Sequence, residues 1–219
     1  MKLLIVVAHP DDEVLGCFGT VAKLIQQGYE AYTLILSKGK TSRGEGEKAI
    51  KELEKEIKKA NKLIGIKQVF IENLPDNSFD SISLLEIVKV VEKYSHMIKP
   101  HTIFTHYKED LNIDHRLTYQ AVITATRPML GEHVKEIYSF EILSSTEWNY
   151  PLSFDPDTYW DINDTLKDKI KAMKCYKSEL REFPHPRSLK GIKLNAKYWG
   201  MRTGKKATEA FKSVRIIKE

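Results

Sequence analysis

The stretch LLIVVAHPDDEVLG, residues 3–16, passes from six apolar residues straight into one histidine and three carboxylates. An unbroken apolar run of this length suits a strand buried on both faces, as in a parallel sheet covered by helices. In such sheets ligands bind outside the carboxyl ends of the strands, where loops lead into helix N-termini. His9, Asp11, Asp12 and Glu13 fall at that place. The plainer reading is a helix start, with Asp12 as N-cap and Glu13 favouring the helix dipole.

Outward from that stretch, strand and helix patterns alternate to about residue 145, which predicts an α/β fold: a Rossmann-like, mostly parallel sheet with helices on both faces. A helix is expected from about Glu13 to Gln27, then strand YEAYTLILS (29–37), a helix ending near Ile64, and strand QVFIE (68–72). A helix over roughly 81–98, strand TIFTHY (102–107), helix HRLTYQAVITAT (115–126) and strand EIYSFEIL (136–143) follow. Beyond residue 144 the reading is a long loop, a strand at TYWDI, two or three helices and a last strand at SVRIIK (213–218). With 219 residues and 42% hydrophobic content, one domain over residues 1–219 can bury a full core.

The net charge of +5 excludes little. Much of the lysine lies in KAIKELEKEIKKANK (48–62), where acids and bases interleave at helical spacing as on a solvated face. No basic and aromatic stripe points to nucleic acid, and no stretch is long and apolar enough to span a bilayer. Two cysteines, Cys17 and Cys175, are too few for a disulfide framework and lack the spacing of a thiolate zinc site. A reducing, cytoplasmic compartment is expected, with Cys17 read as packing.

A second polar cluster, DLNIDHR (110–116), follows the strand TIFTHY. Two strand-end loops facing one crevice would bring His9, Asp11 and Asp12 near Asp114 and His115. Two histidines and one carboxylate without a thiolate suit zinc or another divalent first-row ion, and three protein ligands leave room for water and substrate. If Asp12 holds the metal, Asp11 is free as a base toward a water whose pKa the metal lowers to about 7. That set predicts amide or ester hydrolysis.

AHPDDEVLG together with the later DHR resembles the PIG-L/LmbE-like family of N-acetylglucosaminyl deacetylases, and RSL after FPHP and WGMRTGKKATEAF are similar to the family's closing segment. The resemblance implies an LmbE-like fold and zinc-dependent removal of acetyl from an N-acetylated amino sugar, a small-molecule substrate. It implies zinc ligands His9, Asp12 and His115, a general base Asp11, and a homo-oligomer. One departure stands out: Asn112 occupies the place where members often carry a histidine. An asparagine amide can donate to an oxyanion but cannot give up a proton near neutral pH. Asp11, once protonated, or His185 is then expected to protonate the leaving amine, His185 reaching the site from a neighbouring subunit.

Further expectations are smaller. Arg43 is similar to an arginine that holds substrate hydroxyls or a phosphate in such enzymes, and Glu13 is expected to contact substrate hydroxyls or favour the helix dipole. Asp114 is expected to orient a catalytic group or an imidazole, Arg187 and Glu147 to stand at the rim, and His106 is left without a role. Two rival readings are a nucleotide-binding module, against which the first loop lacks Gly-x-Gly-x-x-Gly, and a catalytically silent, metal-stabilised assembly protein.

Overall fold

The unbroken apolar run has a direct structural cause. In β1 (Lys2–Val7) Leu3, Ile5 and Val7 enter one hydrophobic core, while Leu4, Val6 and then Ala8 enter another on the opposite face, all fully buried. Alternating side chains serve both cores, so neither register can be polar. Each such buried aliphatic contributes on the order of 2 kcal/mol. These features come from a computed structural model that describes residues 1–39, 46–151 and 154–218.

Around β1 the chain builds β2 (Glu30–Ile35), β3 (Gln68–Ile71), β4 (Thr102–His106), β5 (Glu136–Phe140), β6 (Thr158–Asp161) and β7 (Thr208–Ile216) into one sheet, ordered β3-β2-β1-β4-β5-β7-β6. The first five strands run parallel, and β7 is antiparallel to both β5 and β6. The order reverses at β1, where β2 lies on one side and β4 on the other. That switch point is where an α/β sheet opens a crevice.

Helices α1 (Asp12–Gln26), α2 (Glu47–Ile64) and α5 (Leu166–Met173) cover the face that takes Leu3 and Ile5, whereas α3 (Leu84–Ile98) and α4 (Ile113–Ala125) cover the other. Helix α6 (Leu189–Thr203) packs against β7. Gly16 allows α1 its close approach to β5, since a side chain there would collide with the Phe140 ring.

The structure differs from the sequence expectation mainly at element ends and in the last strand. Helix α4 starts at Ile113 rather than His115 because the Asn112 side chain caps it. Strand β7 starts at Thr208, five residues before SVRIIK. Its first half, Thr208–Phe211, is buried, and the charged Glu209 within it masks the strand pattern.

Candidate active site

The loops after β1 and β4 meet at the switch point. After β1 the chain turns sharply at Asp11, whose φ of 88° lies in the left-handed region. A non-glycine residue there costs on the order of 1 kcal/mol and persists only when its surroundings hold it. The Asp11 amide donates to Glu13 Oε2 at 3.1 Å, and the Asp11 carbonyl accepts from Val14 and Leu15. Asp11 therefore occupies the N-cap position without capping: its carboxylate is turned away, toward Arg187. The Asp12 side chain instead accepts the His9 amide at 2.9 Å.

His9, Asp12 and His115 form a compact triangle. His9 Nδ1 lies 3.2 Å from His115 Nε2 and 3.5 Å from Asp12 Oδ2, and His115 Nε2 lies 3.3 Å from that same oxygen. Two imidazole nitrogens and one carboxylate oxygen within 4.8 Å of one another could hold a metal ion. The outward nitrogen of each ring is held by a carboxylate: His9 Nε2 lies 2.9 Å from Asp114 Oδ2, and His115 Nδ1 lies 3.0 Å from Asp110 Oδ1. This pairing fixes the ring orientation and makes the inward nitrogen more basic, as around bound metals. The donor set fits zinc or another first-row ion.

The second carboxylates are anchored in turn. Asp114 Oδ1 accepts from the Phe79 amide at 3.0 Å, and Asp110 accepts from the Ser145 hydroxyl and from Thr146 Oγ1 at 2.5 Å. His106, fully buried at the end of β4, stacks on His115 with ring centroids 4.0 Å apart and accepts the Ala8 amide at Nε2. It braces the His115 ring from behind.

Charge in the cluster is lopsided. Burial alone would keep the His9 imidazole neutral, but contact with Asp114 and Asp12 pushes its pKa up to about 10. Burial likewise opposes the His115 imidazolium, and Asp12 and Asp110 prevail, raising it to about 9. Burial raises the Asp11 carboxyl well above the usual range against the pull of Arg187, with Asp12, Glu179 and Glu13 adding to the rise. Arg187 Nη1 lies 3.2 Å from Asp11 Oδ2, its Nε donates to Ser144 Oγ at 2.8 Å, and Glu179 stands 3.9 Å away.

These groups open on a cavity of about 370 Å³ whose wall includes Asp11, Asp76, Asn77, Leu111, Trp148 and Arg187. Several expected site residues are placed otherwise. Glu13 is fully buried: Oε1 accepts from the Tyr176 hydroxyl and from Asn61 Nδ2 at 3.0 Å, and Oε2 takes the Asp11 amide. No substrate hydroxyl can reach it, so the expected substrate contact is corrected to a brace beneath Asp11. Asn112 lies on the cavity wall, but Oδ1 caps α4 through the Asp114 amide and Nδ2 donates to Asn77 Oδ1 at 3.3 Å. Helix capping uses its oxygen, while Nδ2, the group that would donate to an oxyanion, stands on the cavity wall with one proton directed to Asn77.

His185 does not line the cavity. Its ring packs on Trp148 at 5.6 Å and its Nδ1 accepts the Arg187 amide. Arg187 moves the other way, from a rim expectation to the partner of Asp11. Glu147 accepts the Ser144 and Ser145 amides, Cys17 is buried, and Arg43 lies outside the described residues. Sequence reading missed Asp110, Asp76, Trp148 and Glu179. Of these only Asp110 carried a signal, as the first residue of the cluster DLNIDHR.

Comparison with known proteins adds a second line of information. The family model described as PIG-L: GlcNAc-PI de-N-acetylase matches residues 4–126. The protein named Uncharacterized deacetylase YaiS, from Escherichia coli (strain K12), is 28% identical over 182 residues, covering 80% of this chain and 90% of its own. Diacetylchitobiose deacetylase from Thermococcus kodakarensis is 24% identical over 226 residues, covering 97% of this chain and 83% of its own. In shape, the crystal structure of GalB, the 4-carboxy-2-hydroxymuconate hydratase from Pseudomonas putida KT2440, matches with a TM-score of 0.78 at 20% identity over 100% of this chain and 98% of that one. A fold shared with a hydratase does not by itself select a reaction.

Proposed function

The chain belongs to the PIG-L family, described as GlcNAc-PI de-N-acetylase, and from that premise we propose that it is a zinc-dependent hydrolase removing the acetyl group from an N-acetylated amino sugar or its conjugate. The observation that carries the reading is the triangle of His9 Nδ1, Asp12 Oδ2 and His115 Nε2 standing beside the spare Asp11 carboxyl in one cavity. A divalent ion held by those three residues supplies electrophilic polarisation of an amide carbonyl and lowers the pKa of water toward about 7.

The chain's own groups do the rest. Asp11 takes the proton of the attacking water at its carboxylate and returns it to the nitrogen of the departing amine, so one group serves as base and then as acid. Arg187 holds Asp11 Oδ2 and so fixes the orientation of the carboxyl group at the cavity wall. Asp114 and Asp110 keep the two imidazoles in the tautomer that presents His9 Nδ1 and His115 Nε2 inward. Asp76 and Asn77 offer polar contacts to sugar hydroxyls, and Trp148 offers an aromatic face. An N-acetylated sugar as substrate draws on the relatives, among them diacetylchitobiose deacetylase.

The cytoplasmic part of this reading rests on two buried free thiols, Cys17 and Cys175. The homo-oligomeric part rests on the resemblance to the family and on His185, which packs on the cavity-lining Trp148 without itself lining the cavity and would serve that of a neighbouring subunit. No described helix is long and apolar enough to cross a membrane.

The test is acetate release from a panel of N-acetylglucosamine conjugates. The expected result is acetate and free amine in equal amounts, abolished by chelation and restored by zinc. Zinc-loaded protein that releases no acetate from any of them overturns the reading.

A further inference from the structure

Helix α6 turns Ile192, Ala196, Trp199 and Gly200 inward, so its outer face is expected to be polar. Along that face, however, Leu194 and Tyr198 are each 47% exposed and Met201 is 75% exposed. Spacings of four and three residues align them in one row. At 3.6 residues per turn, Lys193 and Lys197 border this row on one side and Arg202 on the other, with Lys190 at its head. From Leu189 to Lys206 the sequence contains six cations and no carboxylate.

Little in the fold neutralises that charge. Lys205 reaches Asp161 at 3.8 Å, Lys190 lies 4.0 Å over the Phe183 ring, and Arg202 lies 5.0 Å over the Trp199 ring. Among the described residues no carboxylate pairs with Lys193, Lys197 or Lys206. The row also approaches the candidate active site at its head. Phe183 is 50% exposed and stands two residues before His185, which packs on the cavity-lining Trp148.

Charge and apolarity together select the occupant. A second copy of the same face would oppose cation to cation, and a nucleic-acid backbone would leave Leu194 and Met201 without an apolar partner. An anionic bilayer satisfies both features: the row enters the boundary between headgroups and acyl chains while the lysine stems extend to the headgroup phosphates. We propose that the outer face of α6 docks the protein peripherally on an anionic lipid surface.

The test is flotation of the zinc-loaded protein with vesicles of phosphatidylcholine and phosphatidylserine in equal parts, against phosphatidylcholine alone. Wild-type protein is expected to float with the anionic vesicles, less at high salt, and not with the neutral ones. Lys193→Gln combined with Lys197→Gln should lower partition about 25-fold, or about fivefold per lost cation. Leu194→Asp with Met201→Asp should abolish flotation, and Lys89→Gln on α3 should leave it unchanged. None of these side chains lines the cavity, so thermal stability and acetate release from a soluble substrate should stay at wild-type levels and report folding. Three results overturn the proposal: no flotation of wild type, equal flotation of wild type and α6 variants, and a vesicle-free dimer or nuclease-sensitive complex that the α6 substitutions dissolve.

Discussion

Helix α1 carries two buried polar clusters, one at its first turn and one at its middle, and they are balanced in opposite ways. At the middle, Glu209 of β7 accepts the Gly19 and Thr20 amides at 2.9 and 2.7 Å and pairs with Lys169 at 2.6 Å. Lys169 also donates to Leu15 O at 2.7 Å. One buried acid meets one buried base, so the cluster is closed in charge. At the first turn, Asp11, Asp12, Asp110 and Asp114 crowd around His9, His106 and His115, and among the described residues the fixed cation in contact is Arg187. Among the described residues, the balance of that cluster falls to protons on its imidazoles or to a bound cation, which distinguishes a ligand site from an internal staple.

Four experiments can break or sharpen this contrast. The largest effect is expected at the open cluster: Asp12→Ala should abolish tight zinc binding, measured by metal analysis after gel filtration, and lower kcat/KM by at least about a thousandfold, as loss of several kcal/mol of charge stabilisation implies. At the closed cluster, Lys169→Met leaves Glu209 buried without its base and should cost about 3–5 kcal/mol of folding stability by denaturant titration. Its zinc content should remain at wild type, and a loss of zinc there would merge the two clusters into one functional unit.

Asp110→Asn sharpens the comparison within the open cluster. It should weaken zinc affinity about 10- to 100-fold, because the His115 ring loses the carboxylate that orients it, and competition with a chromogenic chelator reads this directly. The smallest effect belongs to Asn112→Ala. Loss of the α4 cap should lower stability by about 1 kcal/mol with kcat within about threefold of wild type, whereas direct stabilisation of an oxyanion by Asn112 predicts a fall of about a hundredfold or more.

Sequence patterns conveyed the first cluster far better than the second, for physical reasons. The run at Leu3–Ala8 marked a strand buried on both faces, and the strand-end position of His9–Asp12 and Asp114–His115 marked a shared crevice. Asp110 was harder to assign because its role depends on the turn that brings Ser145 and Thr146 against it, 35 and 36 residues away. Glu13 has the letters of a surface helix start, and only the buried Tyr176 and Asn61 beside it reveal a brace. Lys169 and Glu209 look like ordinary charges on an amphipathic helix and a strand. Their partnership spans 40 residues and leaves no periodic trace.

The placement of β7 also constrains how the molecule is assembled during synthesis. The ribosome makes β6 about fifty residues before β7, yet among the described residues β6 has no neighbour in the sheet except β7. Until β7 emerges, the nascent chain must keep the hydrogen-bonding rim of β5 open, the kind of exposed border on which partly folded chains aggregate. A chaperone that shields that rim should therefore raise the yield of native protein more than one acting on β1 to β4, whose partners are already available.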